Sequence, residues 1–379
     1  MKPGNRSLPN PVRIVRTAFA AALVAGIVAA QDADPPPRGG WEKIAPFFQP
    51  PAEWAGDLGD YKSPLIFDDG RPVKTPEDWR RRREEILRFW RESLGAWPPL
   101  AEKPAIEVVQ SQPRENFTQT KVRLQAVADL EIEGYLLVPS GDGPKPAVLV
   151  VYYDPETGAG LNPKTELRDF GYQLTRRGFV TLSIGWPKDY TDRESPSRQP
   201  LSSLAYVAAN CYNALALLPE VDADRVGIVG HSFGGKWAMF ASCLYDKFAC
   251  AVYSDPGIVF DEKRPNVNYW EPWYLGWEPD RTRKPGVPTE ENPRTGPYKM
   301  LVETGHDLHE LLALMAPRPF LVSGGAEDQP PRWTALNHAI AVNRLLGFDH
   351  RAAMTNRQGH GPTEESNEQL YLFFEHFLK

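Results

Sequence analysis

Gly230, His231, Ser232, Phe233, Gly234 and Gly235 follow the apolar run RVGIVG and precede the helix-forming run KWAMFASCLY. A serine on a sharp strand-to-helix turn needs neighbours without side chains, because its backbone is strained and the helix packs close to the strand. Gly230 and Gly234 supply that room. Ser232 is then expected at a helix N-terminus, where the dipole and free amides favour the negative charge of a tetrahedral intermediate. The chemistry this setting suits is nucleophilic attack on an acyl group.

A serine hydroxyl attacks only when a base takes its proton and an acid holds that base in place. Of the seven histidines, His360 in NRQGHGPTEESNEQ falls in a loop between the last apolar strand and the helical stretch QLYLFFEHFL, where this chain order puts the base. His350 opens a strand and His376 lies inside the last helix, so both are expected to be structural. For the acid, Asp328 in SGGAEDQPP, three residues after Gly325, is the expected partner; Glu327 and Asp255 are the alternatives. An oxyanion hole takes one amide from the residue after the nucleophile, here Phe233, and one from the loop YYDPETGAG, at Tyr153 or Asp154.

The elements that must position these residues are readable too. IEVVQS, TKVRLQAV and EIEGYLLVP read as antiparallel strands at one edge. Six apolar runs follow at 146–153, 179–185, 225–230, 250–255, 318–325 and 350–355. They lack in-and-out alternation and are separated by helical stretches, as strands buried on both faces of a parallel sheet are. This predicts a doubly wound, mostly parallel α/β sheet with antiparallel N-terminal strands. Upstream, Thr75 as N-cap, Pro76 at the first helical position and Asp78 in a capping box predict a helix to about Leu94, stopped by Gly95. Trp79, Ile86, Leu87, Trp90 and Leu94 share one of its faces. Arg80 to Arg83 read as part of a solvated, ion-paired face, with Glu84, Glu85 and Glu92 four residues from Arg80, Arg81 and Arg88.

GHSFGGK, the AEDQ stretch and QGHGPT, in this strand order, resemble the α/β-hydrolase superfamily over roughly residues 101–379. Within it the chain is similar to secreted bacterial esterases of the dienelactone-hydrolase and acetylxylan-esterase type. The Trp79 to Arg83 helix, the Gly-x-Ser-x-x-Gly-Lys spacing through Lys236 and the run HELLALMAPRPFLV also resemble glucuronoyl esterases, which place arginine where this chain has Phe233. The resemblance implies an α/β-hydrolase fold with an insertion of residues 257–303 after the sixth strand. It also implies ester hydrolysis by Ser232, Asp328 and His360 on a small-molecule or carbohydrate ester. Lys236 joins the expected substrate-binding residues. A prolyl-oligopeptidase-like serine peptidase, a dienelactone hydrolase and a hydrolase fold reused for binding are the competing readings.

The insertion carries NVNYWEPWYLGW, whose Trp270, Trp273 and Trp277 either form a satellite core or line the cleft to stack on sugar C–H faces. His306, Asp307, His309 and Glu310 have a spacing that could hold a metal, but they read better as part of a helix with Leu308, Leu311, Leu312 and Met315 buried. No phosphate-cradling loop or dinucleotide fingerprint appears, so no cofactor is expected. The 379 residues carry a net charge of -6, a balance that argues against nucleic-acid partners. Residues 1–30 combine Lys2, Arg6, Arg13 and Arg16 with the apolar run from Ala18 to Ala30, too short to span a bilayer, and read as a cleaved export signal without stable membrane insertion. Residues 31–100 are expected to form a linker, arm and helix packed on the catalytic domain. Cys211, Cys243 and Cys250 are expected to be buried thiols, with a Cys243 bridge to Cys250 or Cys211 as the alternative.

Overall fold

The computed structural model describes residues 40–128, 130–194, 197–264, 274–280 and 283–379. The expected export signal, Trp270 and Trp273 lie outside these residues. Nine strands form one sheet: β1 (Ile106–Arg114), β2 (Phe117–Val127), β3 (Leu130–Pro139), β4 (Lys145–Val151), β5 (Val180–Ile184), β6 (Val221–His231), β7 (Cys250–Ser254), β8 (Phe320–Gly324) and β9 (Ala352–Asn356). Their spatial order is β1-β2-β3-β5-β4-β6-β7-β8-β9. The pairs from β1 to β3, and β3 with β5, are antiparallel; every pair from β5 through β4 to β9 is parallel.

The unalternating apolar strands have the predicted cause. Ala147, Leu149 and Val151 of β4 enter the core on one face, while Val148 and Val150 enter the core on the other. The helices Pro200–Ala216 and Phe233–Leu244 fill the first face. Residues of Phe170–Arg176 and Glu364–Leu378 fill the second. Edge strand β1 is exposed over most of its length. The insertion leaves β7, one strand later in chain order than the expected sixth.

The helix Pro76–Leu94 starts on the Thr75–Asp78 capping box and stops at Gly95, whose φ of 91° is a left-handed backbone. Its arginines depart from expectation. Arg80 and Arg81 pair with Glu77 and Asp78 in the first turn, and Arg82 is buried between Asp68 (2.5 Å) and Glu85 (2.8 Å). First-turn acids also complement the helix dipole, so they compete well for the guanidinium groups. The three cysteines are buried free thiols, and the alternative bridge does not form.

A strap over residues 54–62 crosses the body. Asn337 Nδ2 donates to the carbonyls of Trp54 and Asp57 (both 2.7 Å) and His338 Nε2 to that of Leu58 (2.9 Å). His309 Nε2 donates to the carbonyl of Lys62 at 2.6 Å. His306 and His309, from the run whose spacing could hold a metal, help fasten this strap. Lys62 Nζ offers only protons, so His306 Nε2 accepts from it (3.2 Å) and Nδ1–H donates to Glu310 (2.7 Å). Trp90 Nε1 also donates to that carboxylate, at 3.2 Å. Leu308, Leu311, Leu312 and Met315 are buried, as the helical reading required.

Candidate active site

Ser232 stands between β6 and the helix Phe233–Leu244 with φ 59° and ψ -118°. Few side chains tolerate this backbone, and close packing holds it. The Ser232 amide donates to the carbonyl of Ser254 on β7 at 2.7 Å. A Cβ on Gly230 would strike the backbone of Gly234, and one on Gly234 would strike the carbonyl oxygen of Val151. The glycines are therefore required by contact, as the motif implied.

His360 lies in the loop after β9, with Nε2 2.7 Å from Ser232 Oγ. Its Nδ1 is 2.6 Å from Asp255 Oδ2. The carboxylate accepts a hydrogen bond from Nδ1–H, which keeps the proton there and leaves Nε2 as the acceptor for the serine hydroxyl. Asp255 is fully buried while the His360 side chain is 39% exposed. The hydrogen-bonded line thus runs from the protein interior to the surface.

The carboxylate at His360 is Asp255, and the expected Asp328 is not in contact with it. Asp255 follows β7 directly, with a left-handed φ of 51°. Its Oδ1 accepts amide hydrogens from Gly325 (2.6 Å), Glu327 (3.1 Å) and Asp328 (3.0 Å). Asp328 turns the other way, accepting from the amides of Gly257 (2.8 Å) and Ile258 (2.7 Å). Burial, then the nearby Asp255 charge, raises the Asp328 carboxyl to about 6. Glu327 pairs with Arg264 at 2.8 Å; burial raises its pKa while Arg264 opposes the rise.

Lys236, expected at the substrate, is buried instead and donates to the carbonyl of Gly257. Burial lowers its ammonium to about 8, against the opposing pull of Asp328 and Asp307. Those acids lie where the base of the insertion folds over the helix, so the cation is drawn inward. Asp307 accepts from the amides of Phe260 (3.0 Å) and Leu308 (2.5 Å), and burial raises it to about 7.

Phe233 is buried, and its ring stacks on Tyr153 with centroids 4.8 Å apart. Trp186 and Tyr274 pack on the same ring at 5.1 and 5.6 Å. The two loops expected to give oxyanion amides therefore meet through their own side chains, with Tyr153 44% exposed beside the nucleophile. Trp277 is half-buried; Gln199 holds its backbone from both sides, at 3.0 and 3.1 Å. His231 lies beneath His360, ring centroids 4.9 Å apart, and bonds to Ser254 Oγ at 3.0 Å. Burial and the neighbouring cationic groups hold it neutral.

Two groups had no signature in sequence. Arg357 reaches the loop that carries His360, and Trp186 follows the end of β5, where it joins the aromatic group. Single residues of these types in loops are too common to single out; the glycines around His360 were the one available hint.

The sheet order and the strand-to-helix turn at Ser232 are those of the α/β-hydrolase fold. Comparison with known proteins agrees: the model of the esterase FrsA-like family matches residues 107–261, and that of the prolyl oligopeptidase family matches residues 208–379. A 4-O-methyl-glucuronoyl methylesterase of Schizophyllum commune is 25% identical over 245 residues, covering 63% of this chain and 57% of that protein. An esterase FrsA of Vibrio cholerae is 34% identical over 125 residues, covering 32% of this chain and 28% of that protein. The chain thus spans less than two thirds of the curated relatives it matches. A solved glucuronoyl esterase from Solibacter usitatus superposes with a TM-score of 0.68 at 18% identity, covering 86% of this chain and all of that one.

Proposed function

We propose that the protein is a serine hydrolase that cleaves a carboxylic ester on a carbohydrate through an acyl-enzyme. The observation that carries this reading is the hydrogen-bonded line Ser232, His360, Asp255, with 2.7 and 2.6 Å between its members. Ser232 Oγ attacks the ester carbonyl while His360 Nε2 takes its proton. The developing oxyanion is met by the Phe233 amide and the N-terminal dipole of its helix, with the second amide from Tyr153 or Asp154. His360 then returns the proton to the departing alcohol, and a water activated by the same imidazole releases the acid. Asp255 keeps the imidazole in the required tautomer and balances its charge when protonated.

The carbohydrate assignment is supported by the glucuronoyl methylesterase match and by the partly exposed rings of Tyr153 and Trp186 beside the nucleophile, surfaces that suit the C–H faces of a sugar. Phe233 brings an apolar ring where glucuronoyl esterases carry arginine, so oxyanion stabilisation rests on amides and the helix dipole. The basic, then apolar, amino-terminal residues support export. The match to the prolyl oligopeptidase family favours peptide cleavage as a second reading. Assays on methyl glucuronate, acetylated sugars, aryl esters and peptide anilides test both. Turnover of a sugar ester well above that of anilides is expected; selective anilide cleavage would replace the ester reading with the peptidase one.

A further inference from the structure

The turns after β7 and β8 exchange carboxylates. Asp255 reaches across to bind three amides of the β8 turn, and Asp328 reaches back to bind two amides of the β7 turn. Both carboxylates are fully buried. Neither turn is held by its own acid. At Asp255 the left-handed φ is costly for a residue other than glycine, so something outside the local chain must hold it. The amides of Gly257 and Ile258, two and three residues on, are the groups Asp328 fixes. Lys236, on the helix that starts at the nucleophile, fixes the carbonyl of Gly257. Asn356 Nδ2 in turn donates to the backbone carbonyl of Asp328 at 2.8 Å.

We propose that Asp328 is a positioning residue for the hydrolysis argued above: by anchoring the Gly257–Ile258 amides it aims the Asp255 carboxylate at His360, and it neither contacts the imidazole nor moves a proton. This inference rests on the proposed catalytic roles of Ser232, His360 and Asp255. Two buried carboxylates follow neighbouring strands, and the reciprocal bonding leaves Asp255 facing the imidazole and Asp328 facing the Gly257–Ile258 amides. A carboxylate accepts two amide hydrogens where an asparagine side chain would turn an N–H toward one of them, so Asp328→Asn strains the turn with little change in volume.

The test compares Asp328→Asn, Asp255→Asn and wild type, by kinetics and by NMR titration of the His360 imidazole. For Asp328→Asn, kcat is expected to fall about 10- to 100-fold with KM within about threefold, as a misaimed group costs the transition state more than the ground state. The acid limb of kcat/KM and the His360 titration should both move to lower pH, because a displaced Asp255 stabilises imidazolium less. Asp255→Asn should be hit harder in both readouts. Should Asp328→Asn not accumulate as folded protein, Asn356→Ala carries the same test, with the same directions and a smaller fall. Unchanged kcat and unchanged His360 titration would overturn the positioning role while leaving the catalytic reading intact. A severe loss in Asp328→Asn beside an active Asp255→Asn would make Asp328 the acid and overturn both. If no ester is turned over at all, the hydrolase reading falls, and the NMR titration alone still decides whether Asp328 aims Asp255.

Discussion

Arg357 donates to the carbonyl oxygen of His360 at 2.8 Å. The same guanidinium reaches the carbonyls of Gly361 (2.7 Å) and Ser323 (2.8 Å) and the hydroxyl of Ser254 (3.3 Å). Among the described residues its hydrogen-bond partners are neutral oxygens drawn from β7, the end of β8 and the loop carrying the base. One flat, five-donor group thus ties His360 to the strands that carry Asp255.

Replacing Arg357 with Met should therefore loosen the base and take the side-chain donor away from the carbonyls of His360 and Gly361. A fall in kcat of about 10- to 100-fold and a stability loss of about 2 kcal/mol or more are expected. Arg357→Lys should rescue little, since an ammonium cannot span the same set of acceptors. Steady-state kinetics and thermal melting check this; full activity in the lysine variant would show that charge alone suffices.

Ser232→Ala should abolish labelling by a fluorophosphonate probe and lower ester turnover by roughly 10³- to 10⁶-fold. Its melting temperature should stay close to wild type, because only the hydroxyl is removed. Residual labelling would locate the nucleophile elsewhere.

Gly234→Ala should fail as a fold rather than as a catalyst. Its new methyl would strike the Val151 carbonyl in the centre of the sheet, a backbone clash that no rotamer relieves. We expect a loss of more than about 3 kcal/mol, at the severe end for a single substitution. Denaturant melts measure it, and a soluble variant of normal stability would mean that β4 and the helix stand farther apart.

Burial lowers His309 from 6.5 to about 4. The folded state holds this ring neutral while the unfolded chain takes up a proton below pH 6.5, so its effect is to destabilise the fold progressively from pH 6.5 down to about 4. The full difference is about 3 kcal/mol. Asp307, raised to about 7, works in the opposite sense over an overlapping range, so the measurement is a comparison. Between pH 6.5 and 4, wild type should lose about 3 kcal/mol more than His309→Gln, which cannot titrate there. Parallel acid slopes in urea unfolding would refute it.

Local chemistry was legible in the sequence wherever one segment sufficed to specify it. The Thr75–Asp78 cap, the glycine-flanked Ser232 and the loop position of His360 each depend on neighbours a few residues away. Asp255 and Asp328 could not be ordered that way. Both end adjacent strands, and what separates them is a set of amide bonds between residues some 70 apart together with a left-handed backbone at Asp255. Lys236 was misread for the same reason: four residues after Ser232, it looks poised at the cleft until the insertion folds down and Gly257 captures it. Arg82 likewise left its expected solvated face because Asp68, outside the helix, claimed it.

The strap at residues 54–62 has a consequence for synthesis. Its carbonyls wait for Asn337 and His338, about 280 residues later in the chain. At roughly 5–20 residues per second, a ribosome needs about 15 s to a minute to supply them. Throughout that interval the strap has none of these fastenings, so it closes late, as a seal over a body already collapsed. A nascent chain halted before the Trp333–Leu345 helix should expose this segment to protease, and the released full-length chain should protect it.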